Sequence, residues 1–282
     1  MKREDIKVLI LRAPGTNCDL EAVRSFEDMG AKVDLIHTQR VFKDKNLDDY
    51  DLLLFPGGFS YGDYVRSGAI WAKECESRIG PELEAFVDSG KPIIGICNGF
   101  QQLVEMGYLP GWEGHSLYPE AALGNSTHGY QNRWIRMKYD GKGNCGMMGG
   151  LNEGHIIQCP VAHGEGRFIL PPEQREELLN KLYDQDMVVF RYIRADGSYA
   201  EYDWPENPNG AYHDIAGICN PEGTVLGLMP HPERAYFGYL MPEWTKKGAP
   251  EIYGDGYPFF KSIIEYIERK FFVLGFYHLQ DR

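Results

Sequence analysis

The stretch from Pro92 to Met106 constrains this chain most: Pro-Ile-Ile-Gly-Ile-Cys-Asn-Gly-Phe-Gln-Gln-Leu-Val-Glu-Met. Ile93, Ile94 and Ile96 form a short β-branched run, as in a strand buried on both faces. Cys97 ends the run, and Phe100, Leu103 and Val104 follow at helical spacing. A strand that turns at once into a helix, with a nucleophile at the corner, is a nucleophile elbow. Gly95 and Gly99 flank Cys97 to give Gly-x-Cys-x-Gly. Such a corner is tight, and larger side chains would clash there. Unpaired N–H groups at the helix start point at the sulfur and favour thiolate over thiol. A buried, inert cysteine is the ordinary alternative, so the elbow needs partners elsewhere. Of the six cysteines (18, 75, 97, 145, 159 and 219), Cys97 is the only one this reading puts at a strand-to-helix corner.

Composition narrows the class. No Cys-x-x-Cys pair occurs, so neither a zinc knuckle nor a thioredoxin motif is indicated; free thiols and no bound metal are expected. A net charge of −12 argues against phosphate-backbone binding, so no nucleic-acid partner is expected. No stretch approaches the roughly 20 apolar residues of a membrane span. The run Val8–Leu11 is too short for a signal-peptide core. A soluble, cytoplasmic protein is expected. The 282 residues suffice for one large α/β domain, and no repeat or low-complexity linker interrupts them, so a single domain over 1–282 is expected.

Hydrophobic runs predict strands at Lys7–Leu11, Val33–Ile36 and Asp51–Phe55 before the Cys97 strand. Ala22, Phe26 and Met29 mark a helix stopped by Gly30. Pro81 opens a helix carrying Leu83, Phe86 and Val87, closed by Gly90. This alternation predicts a mostly parallel sheet with helices on both faces. Further on, strands are predicted at Trp134–Tyr139, Ile156–Val161 and Met187–Ile193, with a helix over Pro172–Tyr183. Ile215–Cys219 and Thr224–Met229 read as a hairpin around Asn220-Pro-Glu-Gly223. A last helix, about Pro258–Phe272, buries Phe260, Ile263, Ile264, Ile267 and Phe271.

Ligands in parallel sheets bind at the carboxyl ends of the strands. His231 stands just past such an end, in Pro230-His231-Pro232-Glu233, on a loop stiffened by two prolines. Glu233 is close enough to orient the imidazole. Nucleophile, base and orienting acid are the three parts of a triad. Pro56-Gly57-Gly58 ends another strand, and paired glycines let backbone N–H groups approach an oxyanion. A Gly-Gly peptide also flips at little steric cost, so the donor could point away until a partner fixes the loop.

Pro-Gly-Gly near residue 57, Gly-Ile-Cys-Asn-Gly-Phe-Gln at 95–101 and Pro-His-Pro-Glu at 230–233 together resemble the class I, or triad, glutamine amidotransferases. The resemblance implies a flavodoxin-like fold and a triad of Cys97, His231 and Glu233. It implies an oxyanion hole from the N–H groups of Gly58 and Asn98, with Gln101 and Gly57 helping to hold glutamine. Gly-Gly-Phe-Ser-Tyr-Gly-Asp-Tyr (57–64) and His163-Gly-Glu-Gly-Arg-Phe168 resemble the glutaminase components of phosphoribosylformylglycinamidine synthases. Asn132-Arg133-Trp134 looks like that group's glutamine-pocket strand. That resemblance implies a large ATP-dependent synthetase subunit and a small third subunit as partners. It places ATP and magnesium on the synthetase, and this chain carries no Gly-x-x-x-x-Gly-Lys-[Ser/Thr] of its own. The alternatives are a glutaminase feeding a GMP or carbamoyl phosphate synthetase, or a cysteine-elbow chaperone or protease. Two segments, about Gly141–Gly154 and Glu243–Gly256, are longer than expected for a stand-alone subunit.

Overall fold

A computed structural model of the chain describes residues 2–116, 118–246 and 251–277, with last-helix side chains described as far as Lys270. The first half alternates: β1 (Lys7–Arg12), α1 (Asp19–Asp28), β2 (Lys32–His37), α2 (Thr38–Asp44), β3 (Leu52–Phe55), α3 (Ala69–Asp88), β4 (Ile93–Ile96) and α4 (Asn98–Glu105). The second half holds β5 (Ala122–Asn125), β6 (Gln131–Tyr139), β7 (Ile156–His163), β8 (Glu165–Ile169), α5 (Arg175–Asp184), β9 (Val188–Ile193), β10 (Ile215–Cys219), β11 (Val225–Leu228) and α6 (Tyr257–Tyr277).

Nine strands form one sheet in the order β2-β1-β3-β4-β11-β10-β9-β6-β7. From β2 to β11 the pairs are parallel. From β11 to β7 they are antiparallel. Every residue of β3, β4 and β11 is buried. Successive side chains point to opposite faces, so full burial means that both faces are covered. α1 meets α6 through Phe26 and Phe260, whose rings stand edge to face 5.2 Å apart. α3 brings Trp71 to 5.8 Å from Phe55 on β3. β1, β3, β4 and β11 all run the same way, so the loops after them open on one edge of the sheet.

The predicted strands and helices are present, and the hairpin β10–β11 turns at Gly223, where φ is +67°. Three elements are additional. α2 lacks an apolar stripe long enough to read. β5 and β8 pair only with each other. α3 begins at Ala69, well before Pro81, and breaks at Ile79 (φ −136°). Pro81 thus opens the second segment of a broken helix, since proline fits a first turn but not a helix interior. In α6, Phe260, Ile263, Ile264 and Ile267 are buried as predicted; Phe271 lies outside the described side chains.

Both long segments are built into the fold. Met147 and Met148 are buried. Ser262 of α6 accepts from Gly150 N at 2.8 Å and donates to Met147 O at 2.6 Å. The described part of the second segment straps the chain after His231: Gly254 N bonds Tyr236 O at 2.7 Å and Gly256 N bonds Ala235 O at 2.9 Å. Asp255 accepts from Gln158 N of β7 at 3.1 Å. Ser262→Ala should strand the buried Met147 C=O and remove the partner of the Gly150 N–H, at a cost of about 1–3 kcal/mol, measured as a lower urea midpoint at unchanged m-value.

Candidate active site

Cys97 occupies the corner between β4 and α4 with φ +53° and ψ −106°. This conformation is costly for a residue with a Cβ, by about 1–3 kcal/mol. The corner persists because its neighbours leave no alternative. Cys97 N bonds Leu228 O of β11 at 2.8 Å, and Gln101 N bonds Cys97 O at 3.1 Å. A Cβ on Gly95 would lie 2.5 Å from Gly99 O, and one on Gly99 would lie 1.9 Å from Phe55 O. Both glycines are therefore required by close backbone approach.

His231 and Glu233 follow β11, the strand beside β4. His231 Nδ1 lies 2.6 Å from Glu233 Oε1, and both side chains are all but fully buried. Burial alone would pull the imidazole pKa down. The Glu233 carboxylate, with the Cys97 and Cys18 sulfurs, outweighs it and holds His231 well above its ordinary value. His231 N bonds Pro160 O of β7 at 2.9 Å, which fixes the loop from behind.

The glycine loop after β3 closes the third side. A methyl group on Gly57 would stand 2.7 Å from His231 Cε1, 3.1 Å from Cys18 Sγ and 3.3 Å from Cys97 Cβ. Gly57 is thus the floor on which the His231 ring, the Cys18 sulfur and Cys97 Cβ converge. Its carbonyl accepts from Asn17 N and Cys18 N, each at 3.3 Å. Phe59 N bonds Gly15 O at 2.9 Å, so Thr16 and Gly58 face each other as an antiparallel bridge. In such a non-hydrogen-bonded pair the two residues turn their own N–H groups outward. Gly58 N and Asn98 N have no acceptor among the described residues. The flip left open by two glycines would break the two bonds to Gly57 O, so the loop is clasped as well as permissive. Gly58 has φ +143°, and a Cβ there would strike Gly15 O and Thr16 Cα at 2.7 Å.

Other residues singled out by the sequence sit at varying remove. Gln101 is buried with its amide engaged: Nε2 donates to Glu165 O at 2.5 Å and Oε1 accepts from Asn98 Nδ2 at 3.0 Å. Asn132 and Arg133 lie on β6, paired with Ala162 and Val161 of β7. The Arg133 guanidinium rests over the Trp204 ring at 4.5 Å, and Asn132 is exposed. Neither is hydrogen-bonded to Cys97, His231 or Glu233 among the described residues. The His163–Phe168 motif forms the turn from β7 to β8 behind the nucleophile. Ala162 O lies 3.8 Å from Cys97 Sγ. Burial first, and the His231 charge with it, pushes His163 down to about 4, so its ring is neutral. Its Nε2 lies 3.4 Å from Asn209 Nδ2.

Three features escaped the sequence reading. First, Cys18 occupies the N-cap position of α1, six residues past the end of β1, so a second cysteine reaches this edge from a loop while Cys97 stands at the strand-to-helix corner. Its signal was the position of Gly-Thr-Asn-Cys after a strand end. Burial pushes the Cys18 thiol up, partly offset by His231. Second, the carbonyls of Pro160, Ala162 and Glu165 form a wall behind His231, Cys97 and Gln101, and main-chain atoms leave no mark in a sequence. Third, Tyr130 packs beside Phe59, centroids 6.2 Å apart, and both rings are partly exposed near the cluster.

A strained cysteine elbow and a buried His-Glu pair stand together on the carboxyl edge of the parallel strands, the arrangement expected of a triad. The comparisons give the family of the chain. A family model described as a CobB/CobQ-like glutamine amidotransferase domain matches residues 5–267. The chain is 42% identical over 280 residues to phosphoribosylformylglycinamidine synthase subunit PurQ of Archaeoglobus fulgidus, covering 95% of this chain and 100% of that one. It is 37% identical over 275 residues to the subunit of the same name from Methanococcus maripaludis, covering 93% and 98%. A solved structure of PurLQS from Thermotoga maritima superposes with a TM-score of 0.69 at 32% identity, over 93% of this chain and 99% of that chain. The chain belongs to the glutamine amidotransferase family, on the branch of the PurQ subunits.

The electrostatic role of Glu233 is testable at the ring itself. In Glu233→Gln the counter-charge is gone and burial remains, so the His231 pKa should fall. Nitrogen NMR of labelled histidine reads this directly; an unmoved titration would assign the upward shift to the thiols.

Proposed function

We propose that this chain is the glutaminase subunit of a phosphoribosylformylglycinamidine synthase, acting as one domain over residues 1–282 in the cytoplasm. The observation that carries the reading is that the Cys97 elbow and the His231–Glu233 pair, itself joined at 2.6 Å, both pack on Gly57. Cys97 is the nucleophile, His231 the proton carrier and Glu233 the acid that orients it. Cys97 Sγ attacks the carboxamide carbon of glutamine, and a C–S bond forms as the carbonyl π electrons move to oxygen. Gly58 N–H and Asn98 N–H receive that oxyanion, the role for which two unpaired amides are suited. The C–N bond then breaks, and His231 gives its proton to the departing ammonia. Water attacks the γ-glutamyl thioester with His231 as base, releasing glutamate and restoring the thiol. Gln101, Gly57, Asn132 and Arg133 are proposed to help shape the glutamine pocket. For Gln101 this requires an exchange of its present partners.

The ammonia passes to a large synthetase subunit, which binds ATP and magnesium and converts the formylglycinamide ribonucleotide amide to an amidine. A small third subunit completes the complex. The names of the PurQ relatives and of the PurLQS structure support this assignment over a GMP or carbamoyl phosphate synthetase. A protein-sized partner also suits the exposed run at the site edge, where Tyr64 and Val65 are 75% and 84% exposed.

Cys97→Ala should abolish glutamine-dependent synthesis by the assembled complex and leave the ammonia-dependent reaction intact. Loss of both reactions would point to a defect in assembly instead. Partner dependence is a second test. The clasped Gly57–Gly58 loop is one conformation of a segment that the synthetase would hold fast. Losing one oxyanion donor costs about 10²–10³ in rate, so glutamine hydrolysis should rise by that order when synthetase, small subunit, nucleotide and substrate are added. Equal steady-state turnover with and without them would sink the gating and leave the triad standing.

A further inference from the structure

The cluster beside Cys97 contains a donor set that includes Cys18, a side chain the reaction does not use. Cys18 Sγ, a ring nitrogen of His231 and a carboxylate oxygen of Glu233 lie within 4.8 Å of one another, all buried. Glu233 Oε2 has no hydrogen-bond partner among the described residues, although the side chain is 1% exposed. Cys18 Sγ donates to Asn17 Oδ1 at 3.0 Å and also faces the His231 ring.

We propose that Cys18, His231 and Glu233 form an inhibitory binding site for a soft divalent cation of the zinc type. A tetrahedral zinc site with ordinary bond lengths places sulfur, nitrogen and oxygen ligands roughly 3.3–3.6 Å apart. Three donors already within 4.8 Å reach that arrangement by small side-chain adjustments. The metal inserts on the Nδ1 side of the imidazole, where Glu233 stands, and opens the 2.6 Å contact between them. The Cys18 S–H proton and the proton shared by His231 and Glu233 leave to solvent. Thiolate and carboxylate together carry two negative charges, which balance a divalent ion in a buried place.

Thiolate and imidazole select zinc, cobalt or cadmium over magnesium, which prefers oxygen ligands and its own waters. The magnesium that serves the synthetase would therefore leave this site alone. Inhibition follows because a metal on Nδ1 removes the His231–Glu233 hydrogen bond and leaves the ring room for only one proton, so it cannot cycle between imidazole and the imidazolium that donates to ammonia. The binding stands independently of the glutaminase reading; the inhibition rests on it.

The experiment has two arms. In the first, Co²⁺ is added to the purified chain without substrate, and thiolate-to-metal charge-transfer absorption is recorded. The band should form in the wild type and in Cys97→Ala, and be absent in Cys18→Ala. A band that follows Cys97 rather than Cys18, or no band at all, overturns the site, and circular dichroism checks that each variant is folded. In the second, Zn²⁺ is titrated against glutamine hydrolysis by the assembled complex, with Mg²⁺ at matched concentrations as the contrast. Loss of an outer-shell partner alone costs 10–100-fold in metal affinity, so Cys18→Ala should raise the half-inhibiting Zn²⁺ concentration by about 100-fold or more, each variant compared with its own metal-free rate. Equal Zn²⁺ sensitivity in the two proteins, or inhibition by Mg²⁺, overturns the proposal.

Discussion

The site depends on the close packing at Gly57. A residue without a Cβ lets the His231 ring, the Cys18 sulfur and Cys97 Cβ approach the same point, each within 3.3 Å of where a methyl would be. Its carbonyl is held by two amides of the loop after β1, and its peptide turns the neighbouring Gly58 N–H outward. One small residue therefore couples loops from four strand ends: β1, β3, β4 and β11. Parallel pairing explains why these ends coincide. Strands that run the same way deliver their following loops to one edge, and the registers of β3 on β4 and β11 on β4 keep the ends level.

The strain at Cys97 belongs to the same logic. A cysteine at φ +53° is held there by hydrogen bonds to β11 on one side and α4 on the other. The surrounding core of fully buried strands makes the cooperative stability that offsets a local cost of about 1–3 kcal/mol. In return the cysteine, itself only 3% exposed, stands at the head of α4 beside the unpaired Asn98 N–H. Elsewhere in the core, burial pushes the thiols of Cys75 and Cys159 far up.

How far the sequence could be read follows from the kind of signal each part leaves. Fully buried strands announce themselves as apolar runs, so β1, β3, β4 and β11 were legible, and so were the loops at their ends. His231 and Glu233 are two residues apart, and a local pair needs no tertiary information. The elbow was legible because glycines at both flanks of one cysteine have a steric cause, now visible as the Gly95–Gly99 and Gly99–Phe55 contacts. Cys18 was not legible, because it reaches the site through a loop whose path is set by pairing with Gly58. The wall of β7 carbonyls was not legible either. Gln101 shows a different limit: residue type suggested a ligand contact, while the fold gives its amide two partners inside the protein.

The strap over the His231 loop completes the electrostatic argument. A buried imidazolium and carboxylate attract strongly only while their separation is fixed, and removing water raises both the attraction and the cost of misalignment. Two prolines limit the loop, but proline stiffens a chain without anchoring it. Anchoring comes from Pro160 O behind His231, from Gly254 and Gly256 bonding Tyr236 and Ala235, and from Tyr236 OH donating to Asp28 at 2.7 Å. Asp255 ties the same strap to β7. The second segment thus gives the site mechanical support: it holds the His231 loop against β7, the strand whose Ala162 carbonyl also faces Cys97. A glutaminase proposed to release ammonia only toward a partner needs its proton carrier fixed and its oxyanion loop adjustable. The fold separates these demands, bracing His231 from the sheet side and leaving Gly57–Gly58 on a clasp of long hydrogen bonds at the open edge.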